Sequence, residues 1–537
     1  MRDKFISSTK KMVKKVLKWD RQIVTGNYSF DKLPKSILRV AESNSEILNS
    51  RDGIGRRADN KEFYPEIKKI DEAFRYFRIK AYEFEDDSVL DINEYDGLHS
   101  GTPMRTKPFK PCIKEVRKSL TDKYLYHYPS TTGNIYSKQS ILDYLLREGF
   151  VSTSNEVYDG LSVDNIVFTM STTHAYSMIL NLITRPEDVV LMPGPNYGLF
   201  AVEPERLNAR VEIIDLKEED EWFVNPEDLN KRIIEINKRL AKEFKGKLNY
   251  VPCVAAYLNM NPHNPIGNVM NVDNRRILEG IADVCLENDV IVIDDLIYRD
   301  LTFNQEKLAL PMATMPQYFN NTISLFGLSK AYGLAGFRAG FIVAPIPICK
   351  GIASRIFQAM DSVPVLQVQS LVGAFNGSDK RYRENQKYFE PIINEYMYRF
   401  LLYKALVEGI DSIKNNDIKQ RIIKDVCYYE SDKKTRKILL DGIPHVEIRK
   451  KTTPTSGFFS ILDFTKLKGM KYENEVIEDD FSLFKYLFSK GKIRYIMGSS
   501  MSWPIASEMV GRVNFAIEKR ALINNMKIIN LLVRGLK

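Results

Sequence analysis

Between about residues 125 and 350 the chain alternates short apolar runs with longer amphipathic stretches. The apolar runs are DNIVFTM, DVVLMP, ARVEIIDL, YVPCVAAYLNM, DVIVIDD, NTISLFGLS and AGFIVAP. They are β-branched or continuously apolar, as strands buried on both faces must be. Segments such as VDNRRILEGIADVCLEND separate them and carry apolar residues at helical spacing. Strand and helix in alternation predict an α/β fold, a mostly parallel sheet with helices on both faces.

The flanks have a different character. Residues 1–94 are charge-rich, and KEFYPEIKKIDEAFRYFRIKAYEFE places apolar and aromatic residues at helical spacing. This predicts a helical N-terminal extension. GLHSGTPMRTKPF then reads as a Gly/Pro-punctuated loop and PCIKEVRKSLTDKY as a helix. Residues 375–440 are rich in charge and Tyr and predict long helices. VEIRKKTTPTSGFFSILDF and GRVNFAIEK read as strands of a smaller α+β domain, and the chain ends in a helix. The expected division is a large domain over 125–350 and a small α+β domain from 95–124 and 351–537, with the helical insertion inside it. No internal repeat or low-complexity segment stands out.

Composition narrows the class. A chain of 537 residues can bury a large core, and its 44% apolar and 27% charged residues are ordinary for a globular protein. No run of about 18 uncharged apolar residues is present, which argues against a membrane-spanning helix. The N-terminal stretch MRDKFISSTKKMVKKVLKW is interrupted by basic residues throughout and lacks the apolar segment of a secretory signal. The net charge of +9 owes much to this region. A basic helix there could meet nucleic acid, but a solvated helix face explains it as well. Cys112, Cys253, Cys285, Cys349 and Cys427 lie far apart without CxxC, and the five histidines have no metal-ligand spacing. Buried free thiols in a reducing cytosol, and no metal, are the expectation.

Chemistry concentrates at the strand ends. In an open parallel sheet, ligands bind beyond the carboxyl ends of the strands. There the sequence places Ser171, Thr172 and Thr173; Tyr197 after Pro193; Asn264 within Asn261–Gly267; Asp294, Asp295 and Tyr298; and Ser329 with Lys330. A lysine amine condenses with an aldehyde. A carboxylate keeps a pyridine nitrogen protonated. Asn and Tyr donate to a phenolate oxygen, and hydroxyls, a helix N-terminus and an Arg satisfy a phosphate dianion. Together these are the parts that hold pyridoxal 5′-phosphate (PLP). Ser171–Thr173 could equally cap a helix, and Asp294 competes with Asp295 for the pyridine nitrogen.

At these residues the chain resembles a known family. SLFGLSKAYGLAGFRAGF is similar to the PLP-lysine signature SKxxGLxGxRxG of the class I/II aminotransferases, the aspartate aminotransferase family. NPHNPIG resembles its NPxNPTG, DDLIY its D-x-x-Y, and GRVNF its segment bearing the arginine for a substrate α-carboxylate. The match runs from about Gly97 to Arg520. It implies the PLP-dependent transferase fold type I, with a seven-stranded sheet and a smaller C-terminal domain. It departs at Gly327, where the family often has a serine, in the spacing of Tyr197 from Pro193, and in length.

Carried over by position, the resemblance implies that Lys330 forms a Schiff base with PLP and moves the Cα proton. Asp295 pairs with the pyridinium. Tyr298 and Asn264 bond the ring 3-oxygen, with Asn264 also beside the substrate, and Tyr197 stacks on the ring. Arg338, with Ser171, Thr172 and Thr173, holds the phosphate. Tyr128 reaches the phosphate of a neighbouring subunit in a homodimer. Arg512 binds the substrate carboxylate, and the Gly101 backbone lies beside the substrate. His174 and His263 are expected as structural neighbours. The implied activity is ping-pong transfer of an amino group between an amino acid and a 2-oxo acid in the cytoplasm. Two other readings are an aspartate 4-decarboxylase-like lyase, suggested by the chain length and by YHYPSTTGNIYSKQSILDYLLREGF, and an aminotransferase-like transcription regulator, suggested by the basic N-terminus.

Overall fold

The computed structural model describes residues 97–103 and 107–537. The expected N-terminal extension lies outside the described residues. All seven expected strands form: β1 Ile166–Thr169, β2 Val189–Gly194, β3 Arg210–Asp215, β4 Val254–Met260, β5 Ile291–Asp295, β6 Thr322–Gly327 and β7 Gly340–Val343. They make one sheet in the order β1-β7-β6-β5-β4-β2-β3. Strand β7 is antiparallel to both β1 and β6, and the other pairings are parallel. The edge strand β3 is half-exposed, whereas the strands inside the sheet are buried along their length.

Alternation along each strand feeds two separate cores. Val190 and Met192 of β2, with Ile291 and Ile293 of β5, join one. Val189 and Leu191, with Val290 and Val292, join the other. Counting helices of at least eight residues, α1 is Lys110–Ser119, α2 Ile135–Arg147, α3 Ser171–Ile183, α4 Leu199–Arg206, α5 Pro226–Glu243 and α6 Arg275–Glu287. Helices α2 and α3 cover the first face, and α5 and α6 cover the second with Leu229, Ile233, Ile236, Leu278 and Ile281. The sequence sets where α5 begins. Asn225 accepts from the Glu227 and Asp228 amides, Pro226 occupies the first turn, and two acids face the helix N-terminus.

Past β7 come α7 Ile346–Met360, α8 Val365–Ala374, α9 Asp379–Glu408, α10 Asn416–Tyr429 and α11 Lys433–Asp441. The long helices expected over 375–440 are therefore α9 to α11. Helix α1 packs against α8 so closely that a Cβ on Gly373 would lie 2.4 Å from Cys112 Cα. A four-stranded antiparallel sheet follows, in the order β12-β13-β9-β8, from β8 Glu447–Ile448, β9 Phe459–Asp463, β12 Ile496–Met497 and β13 Val510–Asn514. Within the segment read as strands, β8 and β9 form and the stretch between them is a loop. Its Thr455 amide donates to Gly267 O (2.9 Å) and its Thr455 carbonyl accepts from Phe303 N (2.8 Å), so its backbone pairs with other loops. A short hairpin, β10 Lys471–Tyr472 with β11 Glu475–Val476, and the helices α12 Asp480–Gly491 and α13 Lys519–Arg534 complete the chain.

All five cysteines are free, but Cys253 is half-buried and Cys427 exposed, so only three fit the expected burial. No helix among the described residues is long and apolar enough to cross a membrane.

Candidate active site

Strands β4, β5 and β6 end side by side, and the chain beyond them meets the start of α3, residues 97–103 and the edge of the second sheet. A cavity of about 170 Å³ lies there. Its walls include Gly101, Ser171, Thr172, Thr173, Tyr197, Asn264, Asp295, Tyr298, Lys330, Arg338 and Arg512. Of the residues given a site role from the sequence, Tyr128 alone does not line it; it is 90% exposed.

Strand alternation separates the two adjacent acids. Asp294 faces the α5/α6 side, where Asn259 Nδ2 (2.8 Å) and the Met312 amide (2.9 Å) donate to its two oxygens. Asp295 points into the cavity and accepts from the Ile297 amide at 3.1 Å. Burial pushes the Asp295 carboxyl up to about 7; the Ile297 amide and Lys330 only partly oppose this, and the Asp294 charge adds to it. A buried carboxylate so placed is stabilised by a cation brought into the cavity.

Lys330 follows β6 and donates from Nζ to Gly101 O at 2.7 Å. Its amine is 5.9 Å from the centre of the Tyr298 ring. Burial lowers its pKa to about 8, helped by the positive charges of Arg512 and Arg338 and opposed by Asp295. The buried Tyr298 hydroxyl is held above its ordinary value, chiefly by burial.

Hydroxyls gather at the N-terminus of α3. Ser171 and Ser329 Oγ atoms are 2.9 Å apart, and Arg338 Nη1 donates to Ser329 Oγ at 3.3 Å and to Ala335 O at 2.9 Å. Ser171 adopts a left-handed φ of 69° as the helix begins. Gly340 makes this possible: a Cβ there would lie 2.9 Å from Ser171 Cα and 2.7 Å from Phe326 O. Gly327, the departure from the family pattern, is also confined. A Cβ there would sit 3.0 Å from Ile297 Cδ1, and a hydroxyl is supplied instead by Ser329.

On the opposite wall Arg512, 5% exposed, projects from β13. Its Nη1 donates to Asn264 Oδ1 (3.3 Å) and its Nη2 to His99 O (3.0 Å), and its guanidinium lies 4.0 Å from the centre of the Phe459 ring. Its Nε is buried without a hydrogen-bond partner. Tyr197 closes another side, edge-on to Phe200 at 5.4 Å. Burial raises its hydroxyl pKa against the pull of Arg512 and Arg338.

Sequence reasoning left Phe459 and Asn514 out of the site. Asn514, two residues after Arg512 on the same strand face, donates to Ser100 O (3.0 Å) and Thr102 O (2.9 Å), holding the segment that carries Gly101. The motif GRVNF already held it. Phe459 stands in SGFFS, which carries no signal of its own. His174 Nδ1 accepts from the Met170 amide at 3.2 Å ahead of α3, and His263 is buried behind Asn264.

Residues 86–416, more than half the chain, match the family described as aminotransferase class I and II, and the chain belongs to it. It is 25% identical over 305 residues to an aspartate aminotransferase of Pyrococcus abyssi, spanning 56% of this chain and 70% of that one. It is 26% identical over 310 residues, with the same coverage, to aromatic-amino-acid aminotransferase 2 of Thermococcus litoralis. Among solved structures, an aminotransferase from Escherichia coli superposes with a TM-score of 0.63 at 16% identity, over 86% of this chain and 94% of that one. The likeness to that structure concerns the fold, the PLP-dependent transferase fold type I. The protein is a PLP-dependent aminotransferase acting on amino acids and 2-oxo acids. Its cavity fits the cofactor: hydroxyls, a helix start and Arg338 for a phosphate dianion, a buried acid for a ring cation, and a lysine amine for an aldehyde.

Proposed function

We propose that Lys330 is the lysine that carries PLP and that the other cavity residues divide the remaining work. The observation that carries this is a buried amine, its pKa lowered to about 8, lining one cavity with a buried acid and Arg512. Bound there, PLP supplies an aldehyde and a protonated ring that withdraws electrons from the substrate Cα. Asp295 holds the ring cation by its ionised carboxylate. Tyr298 and Asn264 donate to the ring oxygen, Tyr197 covers the ring, and Arg338 with Ser171, Thr172, Thr173 and Ser329 anchors the phosphate. Arg512 grips the substrate carboxylate, for which its unpartnered Nε is ready. Lys330 Nζ, whose lowered pKa of about 8 enlarges its neutral fraction, would take the Cα proton and return it on the cofactor side. Two half-reactions share the cavity, which gives ping-pong kinetics.

The same reading extends to assembly and layout. Tyr126, Tyr128, Ile135 and Tyr136 expose an apolar and aromatic surface just before and at the start of α2. A second copy covering it would make a homodimer in which Tyr128 reaches the partner's phosphate. A large domain over 125–350 and a small one from 95–124 and 351–537 surround the cavity, and the enzyme works in the cytoplasm.

The test is the absorbance spectrum of the PLP-loaded protein before and after a panel of amino acids, starting with aspartate and the aromatic amino acids named for its relatives. Bleaching of the visible band with release of a 2-oxo acid supports transamination. A band that recovers while CO₂ leaves aspartate marks the lyase reading. No band, or one that survives Lys330→Ala, overturns the assignment of Lys330.

A further inference from the structure

Tyr197 reaches the cavity from the short loop after β2, and that loop leans on a distant part of the chain. The Asn196 amide, one residue before Tyr197, donates to Met501 O at 2.8 Å, and the Asn196 side-chain Nδ2 donates to Pro193 O at 3.1 Å. Asn196 and Met501 are both buried. Gly194 allows the close approach: a Cβ there would lie 2.6 Å from Ser502 O. Met501 belongs to the turn between β12 and β13, which the Trp503 amide closes on Gly498 O at 3.0 Å.

Trp503 fixes this turn from behind. Its Nε1 donates to Glu508 Oε2 (2.8 Å), and Glu508 Oε1 accepts from Arg449 Nη2 (2.9 Å). Arg449, just past β8, places its Nη1 3.0 Å from Glu218 Oε2, in the chain between β3 and α5. From the same stretch Trp222 sets its ring 4.9 Å from that of Trp503, and its Nε1 donates to Lys450 O at 3.1 Å. Both indoles are buried. An aromatic pair could fill this seam by apolar area alone. Here each N–H also has an acceptor, so both rings have a set direction as well as a set depth. The Met501 carbonyl therefore stands at a defined place for the Asn196 amide. A buried amide left without its acceptor is costly, so the loop that carries Tyr197 follows the turn.

We propose that Trp503 is a positioning residue for Tyr197: anchored to Glu508 and Trp222, it holds the Met501 carbonyl that fixes the Asn196 amide, and so sets how Tyr197 lies over the cofactor ring. This rests on the reading of Tyr197 as the residue that covers the ring. Trp503, Met501 and Asn196 do not line the cavity, so the effect passes through one backbone hydrogen bond.

The decisive variant is Trp503→Phe, which keeps a ring against Trp222 and removes the N–H that binds Glu508. Glu508→Ala removes the acceptor instead and leaves both indoles in place; it carries the same test where Trp503→Phe does not fold. PLP is added to the cofactor-free protein, and its dissociation constant and the visible circular dichroism of the bound form are measured, each variant alone and combined with Tyr197→Ala. Tyr197→Ala is expected to weaken PLP about tenfold, and Trp503→Phe or Glu508→Ala about fivefold with a smaller dichroic band. In the Tyr197→Ala background either variant costs less than about 1.5-fold more, because the residue it positions is gone. Unchanged PLP affinity and dichroism in both variants, or a loss of the same size with and without Tyr197, overturns the inference alone; a general loosening of the fold acts in both backgrounds. A Tyr197→Ala protein that binds PLP like the wild type overturns the reading of Tyr197 and this inference with it.

Discussion

Asp295→Asn separates two roles of one side chain. In the cofactor-free protein the carboxyl is buried and held near 7 rather than 3.8. Its folded-state pKa lies above its unfolded value, so the penalty is absent below about pH 4, grows as pH rises, and is complete above about pH 7. At about 1.4 kcal/mol per pH unit, this comes to on the order of 4 kcal/mol at pH 8. Asparagine keeps an oxygen for the Ile297 amide and carries no charge. The cofactor-free variant is therefore expected to match the wild type near pH 4 and to exceed it by up to about 4 kcal/mol at pH 8. Loaded with PLP, the order reverses. In the role proposed for it, an ionised Asp295 then faces a ring cation, and losing one partner of a buried pair costs about 3–5 kcal/mol, or roughly 10²–10⁴ in kcat. Urea unfolding of both cofactor-free proteins across pH 4–8, with kcat of the loaded forms, measures both arms. A stability difference that does not change with pH, or a kcat within tenfold of wild type, refutes the reasoning.

Three further outcomes follow from the geometry. Arg512→Lys replaces a planar fork that meets Asn264, His99 O and, in its proposed role, a substrate carboxylate by a point charge, so KM for the amino donor rises about 10–100-fold in half-reaction titrations while PLP affinity holds. Arg338→Ala removes one proposed charge-assisted anchor of the phosphate, and PLP titration of the cofactor-free protein should show binding about 10–100-fold weaker. Gly340→Ala drives a methyl onto Phe326 O and Ser171 Cα, both backbone atoms; it is expected to destabilise by about 1–3 kcal/mol in thermal unfolding and to weaken PLP binding as α3 shifts.

Much of this was legible from the chain. Continuous apolar runs announce strands covered on both faces, because only a sheet between two helical layers makes every position of a strand apolar. The seven runs became the seven strands of the first sheet, in place, and the one with Arg210 and Glu212 in it is the half-exposed edge strand β3. The carboxyl ends of those runs also named the polar residues of the cavity, since a parallel sheet brings its strand ends to one edge. Lys330 and Arg338 share one local segment, so their spacing survives folding unchanged.

Tertiary structure decided what depends on distant parts of the chain meeting. Period two says that Asp294 and Asp295 face opposite ways; only the placement of α5 and α6 says which of them faces away from the cavity. Arg512 meets Asn264 and His99, and Lys330 meets Gly101, because the second sheet and residues 97–103 pack against the end of the first. Phe459 and the Arg299–Glu148 ion pair carry no local pattern that marks them. Their roles arise from packing between elements separated by tens to hundreds of residues, and periodicity along the chain holds no record of which element will become the neighbour.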